Sequence, residues 1–198
     1  MYKRQDLGCG TGSNYRYLTK RIKSKQNWLM TDISLESINH FKKNLKVKAA
    51  TNIISFKKIN VIDDIEKINF NNFDIVTGSA FLDIMPRKWF KDFSKLNTNT
   101  KIIYFSINYD GFFKFTPKHK DDELVLKLFN KDQKSDKGIG LRAVGQDCTN
   151  IINTVFSKTH KTYVFNSDWV VENNKAFQEI FINFCENVIL KNKLVLSD

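Results

Sequence analysis

"DLGCGTGSN", residues 6–14, decides how this chain reads. Three glycines (Gly8, Gly10, Gly12) stand at alternate positions, directly after an acid and an apolar residue. Glycine reaches backbone angles closed to other residues and lets a ligand approach the main chain. Such a loop follows a buried strand and opens a helix, whose first N–H groups hold an anionic or polar ligand. The stretch in front, "MYKRQ" (1–5), is polar and basic. A first parallel strand in this setting is central and needs about five apolar residues; only Leu7 qualifies. "MYKRQ" reads as translated adaptor sequence. The expectation is therefore that residues 1–5 are not native and that the first strand, with a preceding helix, is lost.

Working outward, "NYRYLTKRIKSK" (14–25) spaces Tyr15, Leu18 and Ile22 as a helix does. "NWLMTDIS" (27–34) is a short apolar run ending in an acid, as a buried parallel strand would. "LESINHFKKNLK" (35–46) predicts a helix with Ser34 as N-cap. Strands are predicted at 51–61, 72–84 and 101–108, with a helix at 87–96 whose first turn suits Pro86. Strands alternating with helices mean βαβ units and a parallel sheet covered on both faces. Residues 109–147 break the rhythm and predict a cap insertion, part helix and part loop. A helix over 148–160, a sixth strand "KTYVFNSDW" (161–169) and a long helix over 173–190 follow.

The length, 198 residues, suits one domain with a full core. Apolar residues make up 41%, and no apolar run approaches the ~20 residues of a membrane span. Three widely spaced cysteines (Cys9, Cys148, Cys185) form no metal-binding pair, so a reduced cytoplasmic protein without zinc is expected. The formal net charge of +11 points toward nucleic acid. Yet the charge is spread along the chain, and only five of the 32 basic residues are arginines, with no cluster in sequence. A compositional bias of the source genome explains it as well.

The remaining chemistry gathers at one sheet edge. Asp32 ends the second strand about 20 residues after the loop, where an acid accepts hydrogen bonds from ribose hydroxyls. Asn60 and Val61 end the third strand, an amide and an apolar neighbour suited to an adenine. "FDIVTGSAFLD" (73–83) brings the fourth strand to the same edge. The ordered set "DLGCGTG", "TDIS", "NV" and "FDIVTGSA" resembles the class I S-adenosylmethionine-dependent methyltransferases over roughly residues 6–108. The resemblance implies an α/β, doubly wound, mostly parallel seven-stranded sheet, Rossmann-like, whose last strand is antiparallel. It implies one domain: a cofactor-binding half (6–108), a cap that receives the substrate (109–147) and the rest of the sheet (148–198). It implies S-adenosylmethionine as cofactor, held by Gly8, Cys9, Gly10 and Gly12 around the methionine part, with Asp6 under the loop. Asp32 would serve the ribose and Asn60 and Val61 the adenine, with Ile33 and Ser79 also among the cofactor-binding residues. The downstream pieces "SAFLDIMPRKW", "LFNKDQKSDKGIG" with "AVGQD", and "NSDW" resemble a bacterial subgroup acting on small molecules.

Methyl transfer asks for alignment of a nucleophile and, for an OH or NH acceptor, removal of a proton. Asp83 follows the fourth strand closely and ranks first as base; capping the next helix is its plain alternative. Tyr109, Phe112, His119, Asp168 and Trp169 are candidate acceptor-pocket residues, with ordinary packing or solvation as the alternative for each. Residues 129–140 read as a mobile lid or a solvated loop. The favoured partner is a small-molecule acceptor. A nucleic-acid methyltransferase ranks lower: "SAFLD" replaces the Asn/Asp-Pro-Pro-aromatic turn used on flipped bases. A non-catalytic relative that only binds cofactor is the third reading.

Overall fold

The computed structural model describes residues 2–22, 24–45, 52–97 and 99–195. Five strands are described: β1 (Tyr2–Leu7), β2 (Gln26–Asp32), β3 (Ile53–Lys58), β4 (Ile75–Ser79) and β5 (Ile102–Ser106). Six α-helices accompany them: α1 (Ser13–Arg21), α2 (Leu35–Lys43), α3 (Arg87–Leu96), α4 (Asp122–Gln133), α5 (Cys148–Phe156) and α6 (Lys175–Val195). The strands form one parallel sheet in the order β3-β2-β1-β4-β5. From β1 the chain builds outward to β3, then crosses back to place β4 on the other side. That reversal leaves a crevice at the carboxyl ends of β1 and β4, where open α/β sheets bind ligands.

Two apolar clusters sandwich the sheet. One joins Leu7, Val76, Phe81 and the α3 side chains Trp89, Phe90 and Phe93 to Cys148, Ile151 and Phe156 of α5. Trp89 and Phe93 stack at 4.6 Å, and Trp89 Nε1 donates to the Val61 carbonyl at 3.1 Å. The other cluster joins Cys9, Tyr15, Trp28, Met30, Ile38 and Phe41. Ser34 caps α2 as its position suggests, its hydroxyl accepting from the Ser37 N–H at 3.1 Å. Pro86 is the residue just before α3.

Three expectations are corrected. First, the polar stretch does form the central strand. Residues Tyr2–Leu7 pair with β2 on one side and β4 on the other. A slot between two strands supplies ladder hydrogen bonds on both edges, and this overrides weak side-chain propensity. The conflict remains visible in the side chains. Arg4 is 2% and Gln5 0% exposed, and Arg4 Nε and Nη1 and both polar atoms of the Gln5 amide have no partner among the described residues. A buried unsatisfied polar group costs about 1–3 kcal/mol. Gln5→Leu, which keeps the volume and removes both orphans, is expected to raise stability by about 1–2 kcal/mol. Urea unfolding of the two chains measures it, and a loss of stability would show that the amide has found partners.

Second, residues 161–169 form no strand. They run irregularly and exposed, Phe165 at 83% exposure. Neither a sixth nor an antiparallel strand occurs among the described residues, so the described sheet has five strands and not seven. Third, residues 129–140 are not loop throughout. Phe129–Gln133 completes α4, and the Asp136 carboxylate accepts from the N–H groups of Gly138, Ile139 and Gly140 at 2.9–3.0 Å. Lys137 pairs with Asp132 at 2.9 Å, and Asp132 also holds Lys191 of α6. The helix expected to end at residue 46 and the strand expected to begin at residue 51 reach outside the described residues.

Candidate active site

The loop from Gly8 to Gly12 turns β1 into α1, and its three glycines take φ of +60°, +50° and +88°. They serve different ends. A Cβ at Gly12 would overlap the Phe41 ring, and one at Gly8 would lie 2.8 Å from Phe81. Those two glycines let the loop pack down onto the molecule. At Gly10 nothing lies within 4 Å of a Cβ, so its outer face is open. The Cys9 N–H donates to the Thr31 carbonyl at 2.9 Å. The Cys9 side chain turns into the second apolar cluster, and burial, with Asp6 and Asp32 nearby, pushes its thiol up to about 12. Only its main chain is left for a ligand.

Beneath the loop Asp6 is fully buried. Its Oδ1 accepts from Asn14 Nδ2 at 2.8 Å, and Asn14 also donates to Thr77 Oγ1 at 3.1 Å. Its Oδ2 has no partner. Burial pushes the carboxyl up to about 7, opposed by the Asn14 hydrogen bond and helped by the Asp32 charge. Asn14 thus locks β1, α1 and β4 together, a role its place in the motif does not announce.

Asp32 closes the loop from the β2 side. Oδ2 accepts from the Gly10 N–H and Oδ1 from the Ser34 N–H, both at 2.8 Å. Each carboxylate oxygen keeps a second lone pair for ligand hydroxyls. Ile33 beside it is 54% exposed, an apolar surface free to lie against a ring. Asn60 is turned into its own loop, Oδ1 accepting from the Ile62 N–H at 3.0 Å and Nδ2 donating to Asp63. Val61 belongs to the main core. Ser79 is half-buried at the end of β4.

The backbone is strained beside Ser79. Ala80 (φ +50°) and the β-branched Ile107 (φ +56°) follow the ends of β4 and β5, with the Ala80 N–H on the Ser106 carbonyl at 2.9 Å. Positive φ at such residues costs roughly 1–2 kcal/mol each and gathers where function demands it. Just beyond, Asp83 lies in a 3₁₀ turn (Leu82–Ile84), buried, with Oδ1 unpartnered. Burial raises its carboxyl above the ordinary range; the N–H groups of Asp83 and Tyr109 and the Lys137 charge oppose the shift. Leu82 N–H donates to Asn108 Oδ1 at 3.0 Å, fixing the turn to the β5 exit. A second 3₁₀ turn (Gly145–Asp147) packs against the first and presents Gln146, whose Oε1 is also buried without a partner. Gln146 stands in the "AVGQD" stretch, but the sequence assigns it no role, because one glutamine in a turn carries no chemical signature.

The other acceptor-pocket candidates do not converge here. Tyr109 is near, but its hydroxyl is committed to Asn130 Oδ1 at 2.7 Å. Phe112 is 63% exposed. His119 is exposed at the start of α4, its Nδ1 accepting from the Asp121 N–H. Asp168 and Trp169 sit on the exposed 161–171 stretch, where Trp169 packs edge-on to Phe177 at 5.7 Å. An open depression of about 570 Å³ there is lined only by residues 169–174 and Phe177. Phe113 and Phe115 pack with Phe129 and Phe181, which is cap core and not pocket lining. No described helix is long and apolar enough to cross a membrane.

The open face at Gly10, the free lone pairs of Asp32 and the bare surface of Ile33 fit a nucleoside-bearing ligand laid across the crevice. Known proteins resemble the chain as follows. Residues 5–98 match the family model described as "Methyltransferase domain". No curated protein matches the sequence. Among solved structures, the cyclopropane synthase MmaA2 from Mycobacterium tuberculosis is similar at 13% identity with a TM-score of 0.53, covering 80% of this chain and 54% of that one. The arsenic(III) S-adenosylmethionine methyltransferase CrArsM from Chlamydomonas reinhardtii is similar at 15% identity with a TM-score of 0.49, covering 78% and 51%. An S-adenosylmethionine-dependent methyltransferase from Clostridium acetobutylicum ATCC 824 shares 22% identity with a TM-score of 0.39, covering 54% and 43%. The chain therefore spans about half the length of these structures. The glycine loop thus lies on a segment that matches a methyltransferase domain, and the doubly wound parallel sheet around it is a Rossmann-like methyltransferase fold.

Proposed function

We propose that this chain binds S-adenosylmethionine across the Gly8–Gly12 loop and transfers its methyl group to a small-molecule acceptor seated against Asp83. The observation that carries the reading is the open main chain at Gly10, clamped to the Asp32 carboxylate at the sheet's switch point. Gly10 lets the methionine part approach the backbone, and Asp32 accepts from the ribose hydroxyls. Ile33 packs on the adenosine moiety. Asn60 adds its Oδ1 lone pair, and Val61 supports that wall from the core. When bound, the sulfonium supplies an electrophilic methyl group. The protein's part is to align the acceptor, exclude water and take one proton. Asp83 Oδ1, unpaired and held above the ordinary carboxylate range, receives that proton. Gln146 Oε1 orients the acceptor's O–H or N–H.

Calorimetric titration of S-adenosylmethionine and S-adenosylhomocysteine into the wild type and Asp32→Ala tests the first half. Affinity is expected to fall about tenfold or more in the variant, one charge-assisted hydrogen bond contributing roughly 1.5–3 kcal/mol. Circular dichroism checks that the variant stays folded. A folded wild type that binds neither ligand would end the reading.

A further inference from the structure

Two arginines far apart in sequence meet in a cleft of about 230 Å³ lined by Arg87, Lys134, Arg142, Ala143, Val144 and Asp147. Pro86 and Ala143 form an isolated antiparallel bridge, reinforced by the Val144 N–H on the Met85 carbonyl at 3.0 Å. Across such a bridge the residue after one partner lies opposite the residue before the other. Arg87 therefore stands opposite Arg142, and like charges placed so are destabilising. Arg142 Nε donates to the Lys134 carbonyl at 3.2 Å, which leaves its terminal nitrogens without an assigned acceptor. Arg87 has no hydrogen bond or ion pair among the described residues. The one carboxylate in the cleft, Asp147, is paired with Lys134 at 2.9 Å. Asp136 stands across a second bridge from Arg142, but its carboxylate is taken up by the N–H groups of Gly138, Ile139 and Gly140, and neither guanidinium has an ion pair among the described residues.

Arginine is scarce here, which sharpens the point. Lysine supplies most of the 32 basic residues, and each other arginine has a visible task. Arg16 bonds the Thr11 carbonyl and Ser13, Arg21 lies 3.6 Å over the Tyr17 ring, and Arg4 lies between Tyr2 and Trp28. Among the described residues Arg87 has none, and Arg142 commits only its Nε. A planar fork of donors matches an oxyanion bidentately, as a lysine does not. The cleft is too small for a nucleoside and large enough for one phosphate or carboxylate.

We propose that Arg87 and Arg142, with Lys134 at the rim, form an oxyanion-binding cleft for a phosphate or carboxylate group. Arg87 comes three residues after the end of the Asp83 turn (Leu82–Ile84), and Lys137, close after Lys134, already acts on the Asp83 carboxyl. An acceptor seated at Asp83 can reach it with its own anionic group; that clause rests on the function proposed above, whereas the cleft's anion binding does not. The test is an NMR titration of the full chain with inorganic phosphate against chloride at matched ionic strength, following the arginine Nε–H signals. Two signals are expected to shift saturably, and Arg87→Gln with Arg142→Gln should weaken phosphate about tenfold or more while leaving S-adenosylhomocysteine affinity unchanged. No saturable shift, or a double variant that binds phosphate as before, overturns the proposal. The source is distinguished by turnover on acceptor pairs that differ only in one phosphate or carboxylate. A preference for the anionic member that the double variant loses assigns the cleft to the acceptor. Phosphate binding without that preference assigns it to a free anion. Failure to bind S-adenosylhomocysteine would end the methyltransferase reading and leave the phosphate result standing on its own.

Discussion

Gly12→Ala is expected to cost about 4 kcal/mol of stability, whereas Gly10→Ala leaves the protein folded and weakens S-adenosylhomocysteine binding about tenfold or more. The two positions look equivalent in the sequence, and the packing separates them. At Gly12 a methyl group would overlap the Phe41 ring, which is buried between Tyr15 and Phe56 at centroid distances of 5.6 and 5.2 Å and cannot swing away. Overpacking of that kind costs roughly 1–3 kcal/mol, and a left-handed φ at a non-glycine residue adds roughly 1–2. For a chain of this length the sum lowers Tm by on the order of 10 °C. At Gly10 the added methyl meets no protein atom, so only the left-handed strain acts on stability. The methyl would instead stand where the ligand approaches the main chain. Thermal unfolding and calorimetry on the pair give a crossed result: one variant loses stability, the other affinity. Wild-type affinity in Gly10→Ala would place the ligand elsewhere, and wild-type stability in Gly12→Ala would show that the Phe41 packing yields.

The contrast shows which parts of the molecule the residues announce. The glycine loop, the acid ending β2 and the Ser34 cap are legible because their chemistry is local. A positive φ demands glycine, and a helix end demands a hydroxyl. The central strand was hidden because strand formation at Tyr2–Leu7 comes from its two neighbours, not from its own side chains; the orphaned atoms of Arg4 and Gln5 are the residue of that conflict. Residues 161–169 err the opposite way, with strand-like composition and no strand beside them. His119 and Asp168 carry suggestive chemistry but stand on exposed segments, while Gln146 and the Arg87–Arg142 cleft exist only through contacts between distant turns. Side-chain convergence is a tertiary property, and spacing along one chain does not encode it.

Asp83→Asn is expected to lower kcat about a hundredfold or more on an OH or NH acceptor while leaving S-adenosylhomocysteine affinity intact, within the range usual for a lost general base. The substitution isolates proton transfer. The amide keeps an oxygen facing the N–H groups of Asp83 and Tyr109, and the turn's own bond from Leu82 N–H to Asn108 is untouched, so the turn is expected to hold. It also removes a carboxyl whose charged form is disfavoured by burial, so stability should not fall. The pH profile is the sharper readout. The base works deprotonated, and burial raises its carboxyl, so kcat should rise with pH through a value above the ordinary carboxylate range and level off. In the variant that rise should vanish. An Asp83 that only anchors the turn predicts the reverse: kcat unchanged at every pH, with any loss confined to stability. An acceptor with no proton to give would likewise be insensitive to the change. Turnover of an alcohol or amine at wild-type rate by Asp83→Asn would therefore remove Asp83 from the reaction, and Gln146, whose free Oε1 lies on the turn packed against it, would be left to orient the acceptor alone.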